Sequence, residues 1–492
     1  RAACEASLRA LDVPRVDAYL LHAPDPRTPI ETSARALDEL RKAGLARAIG
    51  VSNVSLGELE AAARVAEIRF VEVRLGPAFD AAARGGVLAW CAARGVEVLA
   101  HTPLGGAAGA KKLAKDARLA EVARRHGAEP IDVALATVID AGATPLAGCT
   151  RVETAARLSR ALSVAAALDD ADREILADLA PRPRRAVELA RAATGAEVVM
   201  IMGLPASGKT TRAKELEASG FARLNRDERG GALDAIAGEL GRALAAGGAR
   251  FVLDNTYLSR ASRSRVIDVA RANGAAPRCV FVDAPIELAE AQACARMIAM
   301  HGALPTPEHV AAMSRREAGW LLPSALFRAR RALEPPRDDE GFASIERVVP
   351  VSGARPSWSG GGVDAAVVIE AGAFTSADVA GRARPHLAAL AACGARMLGT
   401  AWRADVDALQ ALSRALGVDV AWRVCPHAAG PPTCWCRKPL PGLGVAMVLE
   451  LGLDPARVVH VGRSPADRGF AARSGFRFVE PAALADVCVA PP

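Results

Sequence analysis

A glycine-rich stretch near the middle of the chain carries the clearest chemistry in the sequence. It runs from Gly203 to Thr211 and reads Gly-Leu-Pro-Ala-Ser-Gly-Lys-Thr-Thr. Glycines let successive backbone N–H groups approach phosphate oxygens, Lys209 can reach the β- and γ-phosphates, and the Thr210 hydroxyl can ligate Mg²⁺. The pattern therefore predicts a P-loop that binds ATP and Mg²⁺. The predicted phosphate-binding residues are Gly203, Ser207, Gly208, Lys209, Thr210 and Thr211.

The elements around this stretch are those that a P-loop requires. Residues 198–202 form an apolar run typical of a buried strand, and a helical pattern follows up to Ala218. Two later apolar runs end in polar residues that include Asp227 and Asp254. Because the carboxyl ends of parallel strands converge at one edge of a sheet, both aspartates are predicted to lie beside the phosphates. Each could accept a proton from an attacking hydroxyl or hold Mg²⁺, and the alternative for each is a helix N-cap.

Residues from Glu197 to about Val349 resemble the 5′-hydroxyl polynucleotide kinase domain of DNA and RNA end-repair enzymes. Besides the P-loop, the resemblance is carried by Asn225-Arg226-Asp227, Asp254-Asn255-Thr256, Ser262-Arg263, residues 270–279 and Glu340-Gly341-Phe342. It implies that Asp227 is the general base for the 5′-hydroxyl and that Asp254 and Asn255 position the acceptor. It also implies that Arg296 contacts the triphosphate from a lid, although Gln292 stands where a second lid cation is expected.

The nature of the acceptor stays open at this point. A kinase of a small metabolite needs the same ATP site, and an ATP-binding regulatory module with degenerate enzyme domains is a further alternative. Five arginines could line a polynucleotide groove or form a solvated helix face. They are Arg260, Arg263, Arg265, Arg315 and Arg316. Tyr257 and Trp320 are the candidates for base stacking in this part of the chain.

The first block of the chain alternates strand-like and helix-like runs, which predicts parallel βα units. It resembles the C-terminal part of an aldo-keto reductase barrel over residues 1–180. The resemblance is carried by residues 17–22, 48–53, 100–105 and 148–151. It implies that His22 orients a substrate carbonyl and Asn53 holds the nicotinamide carboxamide, and the alternative for His22 is a packing role. The family's catalytic tyrosine, lysine and aspartate come from earlier strands, so we expect no reductase activity here and NADP binding only in a longer parent chain.

From Val363 onward the sequence resembles a haloacid dehalogenase-type phosphatase of the histidinol-phosphate and heptose-bisphosphate group. Four residues match that group's zinc loop: Cys425, His427, Cys434 and Cys436. Three thiolates and one imidazole suit a tetrahedral structural Zn²⁺. The alternative is a set of free cysteines in a surface loop.

The catalytic elements of this third block are degenerate. Ile369 and Ala371 are assigned to the positions of the family's two catalytic aspartates, and Glu370 is expected to point to the opposite face of the strand. Arg463 replaces a metal-ligating aspartate and could let the pocket bind an anion. We therefore expect no phosphatase activity, although Thr400, Lys438 and Asp467 remain.

Composition and boundary residues complete the expected organisation. The 492 residues are 51% hydrophobic and 24% charged, which is typical of a soluble globular protein with two to four domains. The expected fold class is α/β: a partial (β/α) barrel, a P-loop NTPase-type parallel sheet and a haloacid dehalogenase-like Rossmannoid domain. The expected domains are residues 1–180, 196–349 and 363–492, joined by linkers at 181–195 and 350–362.

The remaining expectations concern location and partners. Ten cysteines without a secretory signal indicate a cytoplasmic protein, and no apolar run is long enough to span a membrane. A net charge of +7 permits contact with a nucleic-acid end, either DNA or RNA, without requiring it. The oligomeric state cannot be read from the sequence. Because the chain begins with Arg1 rather than methionine, it is expected to be a fragment of a longer protein.

Overall fold

The computed structural model describes residues 1–25, 28–149, 152–181, 183–184, 188, 195–230, 232–314, 316–350, 359, 362–374 and 376–487. Most residues of the two predicted linkers lie outside the described residues, and so do Thr150, Arg151 and Arg315. Three five-stranded sheets are present in the described parts, and every strand pairs in parallel with its neighbours. The prediction of an α/β protein built on parallel sheets is confirmed.

The first sheet keeps the strands in chain order, as consecutive βα units of a barrel wall do. Its strands are β1 (Val16–Leu21), β2 (Ala46–Ser52), β3 (Ile68–Arg74), β4 (Glu97–His101) and β5 (Ala143–Leu146). The associated helices are α1 (Ala2–Leu11), α2 (Ile30–Lys42), α3 (Leu56–Ala63), α4 (Ala81–Arg84), α5 (Val87–Ala92), α6 (Gly106–Leu113), α7 (Ala117–His126), α8 (Pro130–Asp140), α9 (Val152–Ala167) and α10 (Asp170–Ile175). Buried Ile49, Val51 and Val71 form the centre of its core.

The second sheet has the order β10-β9-β6-β8-β7. Its strands are β6 (Glu197–Gly203), β7 (Ala222–Leu224), β8 (Arg250–Asp254), β9 (Arg278–Val282) and β10 (Ser344–Val348). Its helices are α11 (Lys209–Ala218), α12 (Arg226–Arg229), α13 (Leu233–Ala245), α14 (Arg260–Ala272), α15 (Ile286–His301), α16 (Pro307–Met313) and α17 (Pro323–Ala332). Because β7 and β8 lie on one side of β6 while β9 and β10 lie on the other, the loop after β6 opens at the point where strand order reverses, the usual ligand site of such sheets.

The third sheet has the order β13-β12-β11-β14-β15. Its strands are β11 (Asp364–Glu370), β12 (Arg396–Trp402), β13 (Ala421–Cys425), β14 (Leu453–Val461) and β15 (Arg477–Val479), and its helices are α18 (Ala377–Ala392), α19 (Val406–Leu416), α20 (Gly442–Leu451) and α21 (Pro465–Ser474). Among the described helices of all three sheets, none is long and apolar enough to cross a membrane.

Candidate functional site

The glycine-rich loop leaves β6 where only glycine fits. Gly203 has a φ of 146°, and a Cβ on it would approach the carbonyl oxygen of Val282 to 2.5 Å. Gly208, with a φ of 96°, is the N-cap residue of α11, whose first residue is Lys209. The loop therefore turns tightly between the buried strand and the helix, which is the predicted arrangement.

Lys209 is the cation of this loop, and its environment shifts its pKa. Its side chain is buried, with 7% of the residue exposed, and its Nζ donates to the carbonyl oxygen of Leu204 at 2.5 Å. Burial lowers the pKa of Lys209 to about 8, although the carboxylates of Asp254 and Asp227 act in the opposite direction. A buried ammonium with this pKa is poised to interact with an anion.

The loop has the donor groups that a polyphosphate needs. The buried Ser207 Oγ has no hydrogen-bond partner among the described residues. No side chain caps the first turn of α11, so its backbone N–H groups and dipole remain available to an anion. Thr210 and Thr211 are exposed at the start of the same helix, where a hydroxyl could hold Mg²⁺. These residues fit the phosphates of a nucleotide.

Asn225 connects the ends of two strands. Its side-chain oxygen accepts from the N–H of Asp227 at 2.7 Å and of Glu228 at 3.3 Å. Its side-chain nitrogen donates to the backbone oxygen of Asp254 at 2.7 Å and to its carboxylate at 3.0 Å. The structure therefore brings the two predicted acidic positions to one edge of the sheet.

The N-cap alternative for the two aspartates is wrong. Asn225 is the N-cap of α12 and Ser259 is the N-cap of α14. Asp227 instead lies in the first turn of α12 with its side chain 57% exposed, 3.3 Å from Arg226. Its carboxylate is thus accessible to a substrate hydroxyl.

Asp254 has a different environment from Asp227. It is 2% exposed, and its carboxylate accepts from Arg223 Nε at 3.2 Å as well as from Asn225. Arg223 also pairs with Glu228 at 2.8 Å. Sequence reasoning missed Arg223, because nothing in the short strand β7 distinguishes it from a solvated arginine. These contacts fit a positioning role for Asp254 better than proton transfer.

Asn255 and Tyr257 stabilise the same edge from inside. The Asn255 side-chain oxygen accepts from the N–H of Arg226 at 2.9 Å, and its nitrogen donates to the Tyr257 hydroxyl at 3.2 Å. Tyr257 is fully buried and Trp320 is 8% exposed. Neither aromatic ring is available for base stacking, so that expectation was wrong.

Three of the five arginines considered for a polynucleotide groove pair with carboxylates of the protein. Arg263 is fully buried and pairs with Glu340 through two bonds of 2.7 and 2.6 Å. Arg260 pairs with Asp339, and Arg265 pairs with Asp80 and Asp234. Both alternatives for Arg263, a residue of a polynucleotide groove and a residue of a solvated helix face, are wrong because its side chain is fully buried. Its partner Glu340 comes from a distant segment that carries part of the kinase resemblance.

Arg296 lies on α15, and its charge acts on the P-loop residue Lys209. The Arg296 side chain reaches solvent, but neighbouring protein atoms desolvate its charge. This desolvation lowers the pKa of Arg296, and the carboxylate of Asp227 opposes the change. The charge of Arg296 also contributes to the low pKa of Lys209. Lys209, Asp227 and Arg296 therefore lie within electrostatic reach of one another.

Each of the three sheets, together with its helices, is called a unit below. The four predicted metal ligands converge in the third unit. The donor atoms of Cys425, His427, Cys434 and Cys436 all lie within 4.8 Å of one another, and the bonded pairs among them are 3.1 to 3.8 Å apart. The Trp402 indole N–H donates to the His427 carbonyl at 2.9 Å and steadies the loop. Three thiols and one imidazole at these separations can hold one Zn²⁺ with no open coordination position.

The pocket beside this cluster corrects the strand register expected from sequence. Glu370, not Ile369, points into it: its carboxylate accepts from Thr400 Oγ1 at 2.7 Å and pairs with Lys438. Lys438 also contacts Asp467 at 2.9 Å. Ile369 is fully buried in the core on the other face of the sheet. The cavity has a volume of about 240 Å³.

Arg463 does not line this cavity. It is exposed beside a separate open cleft, so the expectation that it replaces a cation in the pocket was wrong. The cavity instead contains Lys438 between the carboxylates of Glu370 and Asp467. His460, which sequence reasoning missed, lies buried with Nε2 3.5 Å from Lys438 Nζ.

The first unit brings its two predicted site residues together at the ends of strands. His22 follows β1, and its backbone oxygen accepts from the Asn53 side chain at 2.9 Å. The Asn53 oxygen bonds His101 Nε2 at 2.9 Å, and Asn53 has a φ of 57°. His101, at the end of β4, was not predicted as a site residue. The three residues form a polar cluster at the carboxyl edge of the sheet, where barrel chemistry is usually built.

Comparison with known protein families identifies the family of the first unit and of the second unit. The profile of the Aldo/keto reductase family matches residues 1–180, and that of an AAA domain matches residues 198–317. The chain therefore contains an aldo/keto reductase domain followed by a P-loop domain of the AAA type.

Individual relatives align with the first unit. Methylglyoxal reductase DkgB of Salmonella typhi is 32% identical over 178 residues, which are 35% of this chain and 63% of the relative. Aldo-keto reductase YhdN of Bacillus subtilis is 41% identical over 68 residues, 14% of this chain and 20% of the relative. A solved aldo/keto reductase from Klebsiella pneumoniae, in complex with NADP and acetate, is 26% identical with a TM-score of 0.34, over 37% of this chain and 65% of that one. The chain thus spans less than two thirds of these relatives.

Proposed function

We propose that this chain transfers the γ-phosphate of ATP to a hydroxyl group, and that the acceptor is the 5′-hydroxyl of a nucleic-acid end. The observation that carries the proposal is the buried Lys209 of the loop after β6, with Asp227 held at the same edge of the sheet through Asn225. The charge of Arg296 acts on both Lys209 and Asp227. Phosphoryl transfer needs cations at the transferred group and a base at the acceptor, and Lys209, Arg296 and Asp227 supply both.

Each residue has a defined task in this proposal. Lys209 and the N–H groups at the start of α11 hold the β- and γ-phosphates. Arg296 stabilises negative charge on the transferred phosphoryl group as it separates from ADP. Asp227, accessible at the edge of the sheet, accepts the proton of the attacking hydroxyl. Thr210 is the residue that would hold Mg²⁺, and the ion would supply positive charge beside the phosphates.

The buried neighbours give the site its rigidity. Asn225 fixes the backbone of Asp227 to the end of β8, and Arg223 fixes the carboxylate of Asp254. A base held by such contacts needs little reorganisation when the hydroxyl arrives. We infer that Asp254 and Asn255 position the acceptor strand end indirectly, through this network.

A nucleic-acid acceptor is supported by the resemblance of residues 197–349 to polynucleotide 5′-kinases. One observation favours a second candidate, a kinase of a small hydroxyl compound. Arg260, Arg263 and Arg265, which were considered for a groove, each pair with a carboxylate of the protein, and Tyr257 and Trp320 are buried. The surface offered to a long polynucleotide is therefore smaller than the sequence suggested.

The other two units have separate proposals. We infer that the third unit is a zinc-stabilised domain of the haloacid dehalogenase type without phosphatase activity, since Glu370, the carboxylate that faces the pocket from β11, is bound to Lys438. We infer that the first unit does not hold NADP with the residues that the structure describes. Its Asn53 already bonds His22 and His101.

Labelled ATP offered with a panel of acceptors tests the proposed function. The panel contains 5′-hydroxyl DNA and RNA oligonucleotides, nucleosides and sugars, and Lys209→Ala serves as the inactive control. Transfer to oligonucleotides alone supports the proposal, and transfer to a nucleoside or sugar alone supports the second candidate. ATP binding without transfer to any acceptor would favour a regulatory module.

A further inference from the structure

Helix α15 belongs to the second unit but packs against the third. Its neighbours across the interface are α20 and α21. Small residues of α15, Ala289 and Ala293, are fully buried together with Met297 in a core that also contains Val445 and Phe470 of the third unit. The two units therefore share one continuous apolar core rather than a wet, mobile interface.

A buried ion pair crosses this interface. Glu290 on α15 is completely buried, and its Oε2 accepts from Arg473 Nε of α21 at 2.7 Å. The other carboxylate oxygen of Glu290 has no hydrogen-bond partner among the described residues. Burial raises the pKa of Glu290 to about 7, and Arg473 opposes that rise. Arg473 is thus the main compensation for a carboxylate that water does not reach.

A second contact comes from the metal-ligand loop. Trp435, between ligands Cys434 and Cys436, is 2% exposed, and its indole N–H donates to the carbonyl oxygen of Leu321 at 2.7 Å. Leu321 leads directly into α17 of the second unit. The Trp435 ring lies in the same shared core as α15. Two independent side chains of the third unit thus contact the segment from α15 to α17.

This segment carries Arg296. On a helix, a residue six positions after Glu290 points about 120° away from it, so Arg296 can face the P-loop while Glu290 faces the third unit. The position of Arg296 therefore depends on how α15 sits against α20 and α21.

We propose that the third unit acts as a fixed support for the α15–α17 segment, with Arg473 and Trp435 as positioning residues that hold Arg296 toward the ATP site. The inference rests on the proposed function only in assigning Arg296 to the triphosphate. It gives the third unit an indirect, positioning role at the ATP site.

The affinity of the full chain for Mg·ATP, measured by titration calorimetry, tests this proposal. Arg473→Met and Trp435→Phe are each expected to weaken binding about 3- to 30-fold, the usual size of coupling through packed elements. Arg296→Ala is expected to weaken it as well, and the Arg296→Ala/Arg473→Met double variant should be no weaker than Arg296→Ala alone. Arg468→Met is the matched control, because Arg468 lies on the same helix but pairs with Glu480 at the surface.

Thermal unfolding of every variant separates positioning from loss of fold. Removing Arg473 alone strands a buried carboxylate, which is strongly destabilising, so Glu290→Gln/Arg473→Met is the second variant, with no buried charge left unpaired. Weakened binding by this folded double variant supports the proposal. Wild-type affinity in it, or losses that add fully to that of Arg296→Ala, would overturn the proposal. Because ATP binding is the readout, failure to phosphorylate a 5′-hydroxyl end would refute the proposed acceptor alone.

Discussion

Raising the pH from 7 to 9 should weaken ATP binding, because Lys209 loses its charge at an unusually low pH. Burial lowers the pKa of Lys209 to about 8 in the free protein. Below this pKa the side chain is an ammonium ion that attracts the β- and γ-phosphates. Above it the side chain is a neutral amine, so ATP must bind together with a proton. The effect therefore has one sign: affinity is full at low pH and falls as the pH rises through about 8.

The magnitude follows from the charged fraction. One unit above its pKa, about a tenth of the lysine is protonated, and a binding-competent fraction of about one tenth raises the apparent Kd about tenfold. An ordinary lysine, with a pKa of about 10.4, would stay charged at pH 9 and leave the Kd unchanged. An increase of about tenfold in the apparent Kd for ATP between pH 7 and pH 9 is therefore what a buried Lys209 predicts.

Titration calorimetry in excess Mg²⁺ measures both affinity and proton uptake. Runs at pH 8 in two buffers of different ionisation enthalpy should show uptake of about half a proton for each ATP bound. Lys209→Arg is the control, since a guanidinium stays charged over this range and should abolish the pH dependence. An affinity that is constant between pH 7 and 9, or binding without proton uptake, would refute this reasoning.

Four further predictions concern the proposed base, the metal cluster and the absence of two enzymatic activities. Asp227→Asn should lower kcat for transfer about 10²- to 10⁴-fold with unchanged ATP affinity, and wild-type turnover would exclude it as the base. Metal analysis should find about one zinc per chain, lost together with thermal stability in Cys434→Ser/Cys436→Ser; metal-free wild-type protein of equal stability would contradict this. No phosphomonoester hydrolysis is expected, and activity that survives chromatography would disprove the inactive assignment. No NADPH oxidation with aldehydes is expected, since the two tyrosines are Tyr19 on β1 and buried Tyr257, and measurable oxidation would overturn that view.

The parts of the site that are local in sequence could be predicted from it. The apolar run of β6, the glycines and Lys209 are contiguous, so their order alone indicates strand, loop and helix. Polar residues at strand ends were also expected to meet, and Asn225 and Asp254 do. Strand termini carry this information because parallel strands end at one edge.

Contacts between distant segments could not be predicted. Arg263 pairs with Glu340, which lies 77 positions later in the chain. No local sequence pattern distinguishes Arg263 from a surface arginine. Glu370 and Ile369 do point to opposite faces, as alternation demands, but which of them faces the pocket depends on a one-residue register that the apolar run leaves undetermined. The packing of α15 on the third unit joins two blocks that the sequence presents as separate.

End-labelling of an oligonucleotide tests the central claim most directly. The chain is incubated with Mg·ATP labelled in the γ-phosphate and with a 5′-hydroxyl oligonucleotide, next to the same oligonucleotide already phosphorylated at its 5′ end. We predict label on the 5′-terminal nucleotide of the first substrate only, lost in both Lys209→Ala and Asp227→Asn. No label on the 5′-hydroxyl substrate, or equal label in Asp227→Asn, would contradict the assignment of this site as a 5′-hydroxyl kinase.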